Sequence, residues 1–411
     1  MRAEEVDQCG KCGLCLALCP VYQVTREETV SPRAKVQLIK HFARQDIQAS
    51  PYLRDLVSKC LMCGACSSFC PSGVEHSGLF MRMRSQMAET FGQNWRLRVL
   101  HHLLSGSGQL ELASRFARWG QKITRSMSRS SIGDIPLKRL PSLNSRPFRR
   151  QAPAVNEPEG QDRGTVLYFT GCATNYLYDQ TGWATLKVLT RLGYRVKIPQ
   201  SQQCCGMPLF AHGHEKQALG NIQSALNLFG GQDIQAVVVD CATCGSALRT
   251  EYPRVLANLG QPVDRARELA EKVYDVTEFA AKHTQELSAQ VKGGAEARPV
   301  KVTYHSPCHL KNFQKVSAQI DTFLRDLPGV RYVQAADWES CCGGGGTFFY
   351  EFPEITREMV ASKIDNAQNT AADIWLTGCP GCRMNLAGNL DQDSNLQLQH
   401  PIQVVAGLLG D

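Results

Sequence analysis

Eighteen cysteines carry the chemistry of this chain, and two spacings account for all of them. Cys9, Cys12, Cys15 and Cys19 run into Pro20, and Cys60, Cys63, Cys66 and Cys70 run into Pro71, each spelling C-x2-C-x2-C-x3-C-P. Such a run supplies three thiolates from one tight loop to a cubane 4Fe–4S cluster. The fourth thiolate comes from the other motif when two clusters share a domain. The sequence therefore predicts one cluster on Cys9, Cys12, Cys15 and Cys70, and another on Cys60, Cys63, Cys66 and Cys19. Glycines at positions 10, 13 and 64 let backbone N–H groups approach the sulfurs, because no Cβ stands in the way. Hydrogen bonds of that kind tune a cluster's potential.

The second spacing is also doubled: Cys172, Cys204-Cys205 and Cys241-x2-Cys244, then Cys308, Cys341-Cys342 and Cys379-x2-Cys382. The intervening lengths, 31 and 35 residues in the first copy and 32 and 36 in the second, match too closely for chance. Five thiols exceed what a cubane needs, and adjacent cysteines do not both serve one comfortably. Disulfides are one rival, but such frameworks belong mainly to short secreted chains. This chain has 411 residues and begins MRAEEVDQC, without an apolar leader region. Zinc suits C-x2-C pairs, yet the doubled C-P runs fit iron–sulfur ligation better.

The elements that must position these thiols can be read next. Residues 1–80 are expected to form a helical domain for two 4Fe–4S clusters, with one helix on Val36, Leu38, Ile39 and Phe42 and another over residues 52–59, after Pro51. Residues 81–165 hold no cysteine and read as a basic helical connector and linker. Phe91, Trp95, Val99, Leu100, Leu103 and Leu104 share one helical face, and Leu112, Phe116 and Trp119 another. Residues 82–150 carry fourteen Lys or Arg against Glu89, Glu111 and Asp134, so the net charge of +7 belongs to this segment. A basic amphipathic stretch suits a solvated face, a protein partner or an anionic lipid surface. Trp95, Trp119, Met81 and Met83 are expected in the core or at an interface.

Residues 166–297 and 298–411 then repeat a β/α pattern. Strands TVLYFT, YRVKI and AVVVD precede the three cysteine groups of the first copy, and VKVTYH, VRYVQ and DIWLT those of the second. Strands alternating with helices predict an α/β fold with parallel sheets and right-handed crossovers. All five cysteines of a copy then gather at the carboxyl edge of one sheet, where open α/β sheets bind ligands. His305 and His309 flank Cys308 as candidate ligands or proton donors, although such histidines more often support ligands or lie at the surface. The glycine run 343–346 lacks the Lys-Ser/Thr of a phosphate loop, and close approach of backbone to a cluster explains it better.

The whole array resembles a known family: heterodisulfide reductase catalytic subunits, glycolate oxidase iron–sulfur subunits and the third subunit of anaerobic glycerol-3-phosphate dehydrogenase. All join two ferredoxin-type motifs to two CCG domains. The resemblance implies a 4Fe–4S cluster, noncubane in heterodisulfide reductase, on Cys172, Cys204, Cys205, Cys241 and Cys244. It implies another on Cys308, Cys341, Cys342, Cys379 and Cys382. CPVYQVTREETVSPRAKVQLIK looks most like glycolate and lactate oxidase subunits, whereas GCATNY, CCGMPLFAHG and YHSPCH look more like the glycerol-3-phosphate subunit.

No dinucleotide fingerprint with its following acidic residue is present. Clusters pass single electrons, while oxidation of a hydroxy acid needs flavin or nicotinamide. The expected role is thus an electron-transfer subunit of a lactate or glycolate dehydrogenase, with FAD on a partner subunit and quinone or another carrier as acceptor. Glycerol 3-phosphate as the partner's substrate, and direct disulfide reduction by this chain, are the alternatives. A cytoplasmic home with peripheral contact at the inner membrane face is expected, and no nucleic-acid partner.

Overall fold

The protein is described here by a computed structural model covering residues 6–92, 95–104, 106–126, 131–132, 135–136, 142–231, 233–291, 299–391 and 393–410. Its N-terminal part is helical, and two Ser-Pro pairs start the expected helices. Ser31 accepts a hydrogen bond from Ala34 N–H at the head of Pro32–Ala43, and Ser50 accepts one from Leu53 N–H at the head of Pro51–Ser58. Serine satisfies an otherwise orphaned N–H, and proline at the first helical position gives up none that is needed. The long helix His76–Phe91 buries Leu79, Phe80, Met83 and Met87 on one side and stops at Gly92, whose φ of +71° ends the run.

Two helices follow, Trp95–Leu104 and Ser107–Ser126. Their apolar faces do not behave as one core surface. Leu104 is buried, but Trp95 and Trp119 are 67% and 68% exposed, and Val99, Leu112 and Phe116 also face solvent. Met81 and Met83 lie in the core as expected, whereas the two tryptophans do not. Amphipathic spacing marks an apolar face without saying whether the fold covers it.

The first sheet contains β1 (Val155–Asn156), β2 (Thr165–Phe169), β3 (Arg195–Lys197), β4 (Ala236–Val239) and β5 (Val273–Asp275), in the order β1-β3-β2-β4-β5. Only β1 runs antiparallel. The second sheet contains β6 (Val300–His305), β7 (Val330–Tyr332), β8 (Ile374–Thr377) and β9 (Gln397–Gln399), in the order β9-β8-β6-β7, all parallel. Without β1, each copy runs second-first-third-fourth. Right-handed crossovers must then pass to opposite faces after the first and second strands, which opens a crevice between the first and third strands at the carboxyl edge. All four residues of β4 are buried, because helices cover both faces of the sheet.

β1 and Phe148 come from the segment read as linker. Phe148 is fully buried, stacks edge-on to Tyr168 and Trp183, and lies where a side chain at Gly182 would be 2.7 Å from its ring. The two copies share one core, with Tyr168, Val188 and Val238 of the first continuous with Tyr304, Phe323 and Trp375 of the second. The N-terminal helices pack against both copies. Val36, Leu53, Phe80 and Met83 cover Leu167, Phe210 and Val237, while Val21, Val30 and Leu61 meet Phe348 and Met359.

Candidate metal centres

The two N-terminal motifs fold into matching loops. Lys11 and Gly13 have φ of 55° and 83°, and Met62 and Gly64 have 53° and 74°. Left-handed backbone at a lysine and a methionine is uncommon and strained, and its repetition at equivalent positions shows that the loop shape demands it. It turns N–H groups inward: Met62 N–H donates to Cys60 Sγ at 3.5 Å. The sequence pointed to Gly13 and Gly64 but not to Lys11 and Met62; Gly10 does not have positive φ.

One cavity is lined by Cys9, Cys12, Cys15 and Cys70, another by Cys19, Cys60, Cys63 and Cys66. Three sulfurs of each set thus come from one motif and the fourth from the other. The first set lies near the surface, with Cys12 exposed; in the second, Cys63 is buried. Burial pushes the Cys63 thiol up, and the nearby Cys341 and Cys308 push it further.

In the α/β copies every cysteine follows a strand. Cys172 opens the helix after β2, Cys204-Cys205 follow β3, and Cys241 caps the helix after β4, its Sγ accepting from Cys244 N–H at 3.4 Å. Cys308, Cys341-Cys342 and Cys379 repeat this after β6, β7 and β8, and Cys342 Sγ accepts from Gly344 N–H at 3.4 Å. The thiols of the first copy neighbour one another in the order Cys172, Cys204, Cys205, Cys244, Cys241, and those of the second in the order Cys308, Cys341, Cys342, Cys382, Cys379. The neighbouring Cys204 and Cys244 thiols draw Cys205 well below its ordinary range, and Cys341 and Cys382 draw Cys342 down to about 5. All eighteen thiols are free.

The sets adjoin one another. Cys241 lies beside Cys379 and lowers its pKa, Thr243 Oγ1 lies 3.4 Å from Cys379 Sγ, and Ala242 N–H donates to Gly378 O at 2.9 Å. Asn312 Nδ2 donates to Cys63 O at 2.8 Å, and the Phe313 ring lies 2.5 Å from where a Gly64 Cβ would stand. The glycine run also serves this junction, since a Cβ at Gly345 would meet Leu61 O at 2.6 Å. In space the order is thus Cys9/12/15/70, Cys19/60/63/66, the second copy, then the first copy.

Among the described residues, the buried cations Lys35, Arg149 and Lys363 face these sets, and the sequence reading named none of them. Lys35 Nζ donates to Val30 O and Lys59 O, at 2.7 and 2.6 Å. Arg149 Nη1 donates to Gln202 O, and Lys363 Nζ to Asp337 O. Burial lowers the pKa of each, opposed by Cys60 and Cys19 at Lys35, by Tyr176 and then Cys172 at Arg149, and by Asp337 and Cys342 at Lys363. Buried charge needs a counter-charge, and iron held by thiolates is net anionic. Soft sulfur donors, inward N–H groups and buried cations therefore fit iron–sulfur clusters. For Lys35 the sequence did hold a signal: Pro32, Lys35, Val36 and Ile39 share one buried helical face.

Comparison with known proteins agrees with this geometry. Residues 5–74 match the model of the 4Fe-4S dicluster domain, and residues 166–249 and 302–387 each match that of the cysteine-rich (CCG) domain. The chain is 27% identical to the probable glycolate oxidase iron-sulfur subunit of Bacillus subtilis, over 96% of this chain and 91% of that one. It is 31% identical to lactate utilization protein A of Bacillus pumilus, over 58% of this chain and 98% of the relative. It is 26% identical to one of the subunits of the dihydromethanophenazine:CoB–CoM heterodisulfide reductase of Methanosarcina barkeri, over 99% and 94%. The chain belongs to the family of iron–sulfur proteins that join a 4Fe-4S dicluster domain to a tandem pair of cysteine-rich domains.

Proposed function

We propose that this chain is the electron-transfer subunit of a 2-hydroxy acid dehydrogenase complex. A partner carrying FAD oxidises lactate or glycolate, and this chain passes the electrons to quinone or another carrier. The observation that carries the reading is the succession of four cysteine sets, each close enough to feel the charge of the next. Cys9, Cys12, Cys15 and Cys70 hold one 4Fe–4S cubane, and Cys19, Cys60, Cys63 and Cys66 the other. Cys172, Cys204, Cys205, Cys241 and Cys244, and Cys308, Cys341, Cys342, Cys379 and Cys382, hold one further cluster each, cubane or noncubane. These clusters supply one-electron steps, so the two-electron oxidation falls to the partner. The names of the glycolate oxidase and lactate utilization relatives support the substrate class.

The exposed Trp95, Val99, Leu112, Phe116 and Trp119 lie in the basic segment. Apolar and cationic groups together suit the surface of an anionic membrane, which supports peripheral attachment next to a quinone pool. No helix among the described residues is long and apolar enough to cross a membrane.

The test is an anaerobic pull-down with this chain as bait, followed by lactate, glycolate or glycerol 3-phosphate while cluster absorbance is recorded. Bleaching by lactate or glycolate with flavin in the eluate supports the relay, and bleaching by glycerol 3-phosphate alone replaces its substrate. A second reading, disulfide reduction by this chain itself, is favoured by the meeting of the two five-cysteine sets at Cys241 and Cys379. Disulfide turnover by the isolated chain would establish it.

A further inference from the structure

The two five-cysteine sets match in sulfur but not in nitrogen. His305 ends β6 three residues before Cys308, and Phe169 ends β2 three residues before Cys172, so the two occupy equivalent positions. Phe169 is buried and packs against Phe229, with ring centroids 5.4 Å apart. His305 is 0% exposed, and neither Nδ1 nor Nε2 has a hydrogen-bond partner among the described residues. A ring nitrogen of His305, Cys342 Sγ and Cys382 Sγ all lie within 4.8 Å of one another.

Buried polar groups are almost always satisfied, and one left unpaired is costly. An apolar side chain would fill the position without that cost, as Phe169 does in the first copy. A neutral imidazole has a free lone pair, the form in which histidine binds metals. The other histidine beside Cys308 is placed differently: His309 Nδ1 lies 3.7 Å from Cys308 Sγ, and its ring stacks on Phe313.

We propose that His305 is a nitrogen ligand to the metal group of the second cysteine-rich copy, alongside Cys342 and Cys382. The second copy then presents a mixed imidazole–thiolate donor set, whereas the first presents thiolates alone. The proposal rests on the reading that the cysteine-rich copies hold iron. His305 then takes an iron position that a thiolate holds in the first copy, and imidazole in place of thiolate raises a cluster's reduction potential, so the two copies, alike in fold, differ in potential.

The test uses the full chain, loaded anaerobically with iron and sulfide and grown with either natural-abundance or 15N-labelled histidine. Pulsed EPR should detect a strong nitrogen coupling that changes with the label. The coupling should be lost in His305→Phe, which copies the first sheet, and kept in His309→Ala. The potential of one centre should fall in His305→Phe, with the other centres unmoved. Iron present in the second copy with no label-sensitive coupling in the wild-type chain overturns the proposal without needing any variant to fold. So does a weak coupling, as from an N–H donating to sulfur, or a strong coupling that survives His305→Phe. Iron analysis separates this from failure of the underlying reading. Iron that stays at the wild-type level when all five second-copy cysteines are replaced by serine shows that this copy holds none, and both then fall.

Discussion

Replacing Lys35 with methionine removes one positive charge from the wall of the site formed by Cys19, Cys60, Cys63 and Cys66. Lys35 is 1% exposed, and its ammonium is held by two carbonyl oxygens, with no carboxylate in contact among the described residues. Two unit charges about 8 Å apart at an effective dielectric of about 20 interact by about 2 kcal/mol. At about 59 mV per tenfold for a one-electron couple, that corresponds to about 90 mV. Reduction adds negative charge, so loss of the ammonium makes reduction harder and the potential of this site falls. The assay is an anaerobic redox titration followed by EPR, with Lys40→Met as control, since Lys40 lies on the same helix but pairs with Asp7 at 2.6 Å on a more exposed surface. In protein stripped of iron the sign reverses: a buried ammonium without a counter-charge is costly, and methionine there stabilises. An unchanged potential in Lys35→Met, with iron content at the wild-type level, would refute the charge-balance argument.

Cys19→Ser should remove the cluster signal that depends on Cys60, Cys63 and Cys66 and spare the one built on its own motif; loss of only the latter in EPR would overturn the exchanged pairing. Gly64→Ala combines a left-handed backbone penalty of about 1–2 kcal/mol with a clash against Phe313 worth about 1–3 kcal/mol. Gly73→Ala, at φ +66° with open space around it, should show only the first part in anaerobic melting curves. Burial pushes the Asp275 carboxyl up to about 7, above its unfolded value. Its contribution to stability is therefore complete below about pH 4 and lost as pH rises through about 7. Asp275→Asn keeps an acceptor for Thr277 N–H, now at 2.8 Å, but does not titrate. The variant's melting temperature should therefore fall less between about pH 6 and pH 8 than that of the wild type, and an equal fall would exclude Asp275 as the titrating group.

Much of this was legible in the sequence because cysteine ligation and strand–helix alternation are local patterns. The spacing C-x2-C-x2-C needs only one loop, and a cysteine directly after a parallel strand must lie at the carboxyl edge of its sheet. Helices starting at Ser31-Pro32 and Ser50-Pro51 follow from capping chemistry that involves neighbouring residues alone. The α/β class and the repeated copies were readable for the same reason. Contacts between distant segments were not. Nothing in the order of the chain says that the second cysteine-rich copy, rather than the first, adjoins Cys63, or that Cys241 meets Cys379. Those junctions depend on which surfaces of the two β/α copies are complementary, and on side chains such as Phe313 at Gly64. The burial of Lys363 and His305, and the exposure of Trp95 and Trp119, were likewise decided only by what packs against each face. Amphipathic periodicity states that a helix has two faces; the tertiary fold decides what covers them.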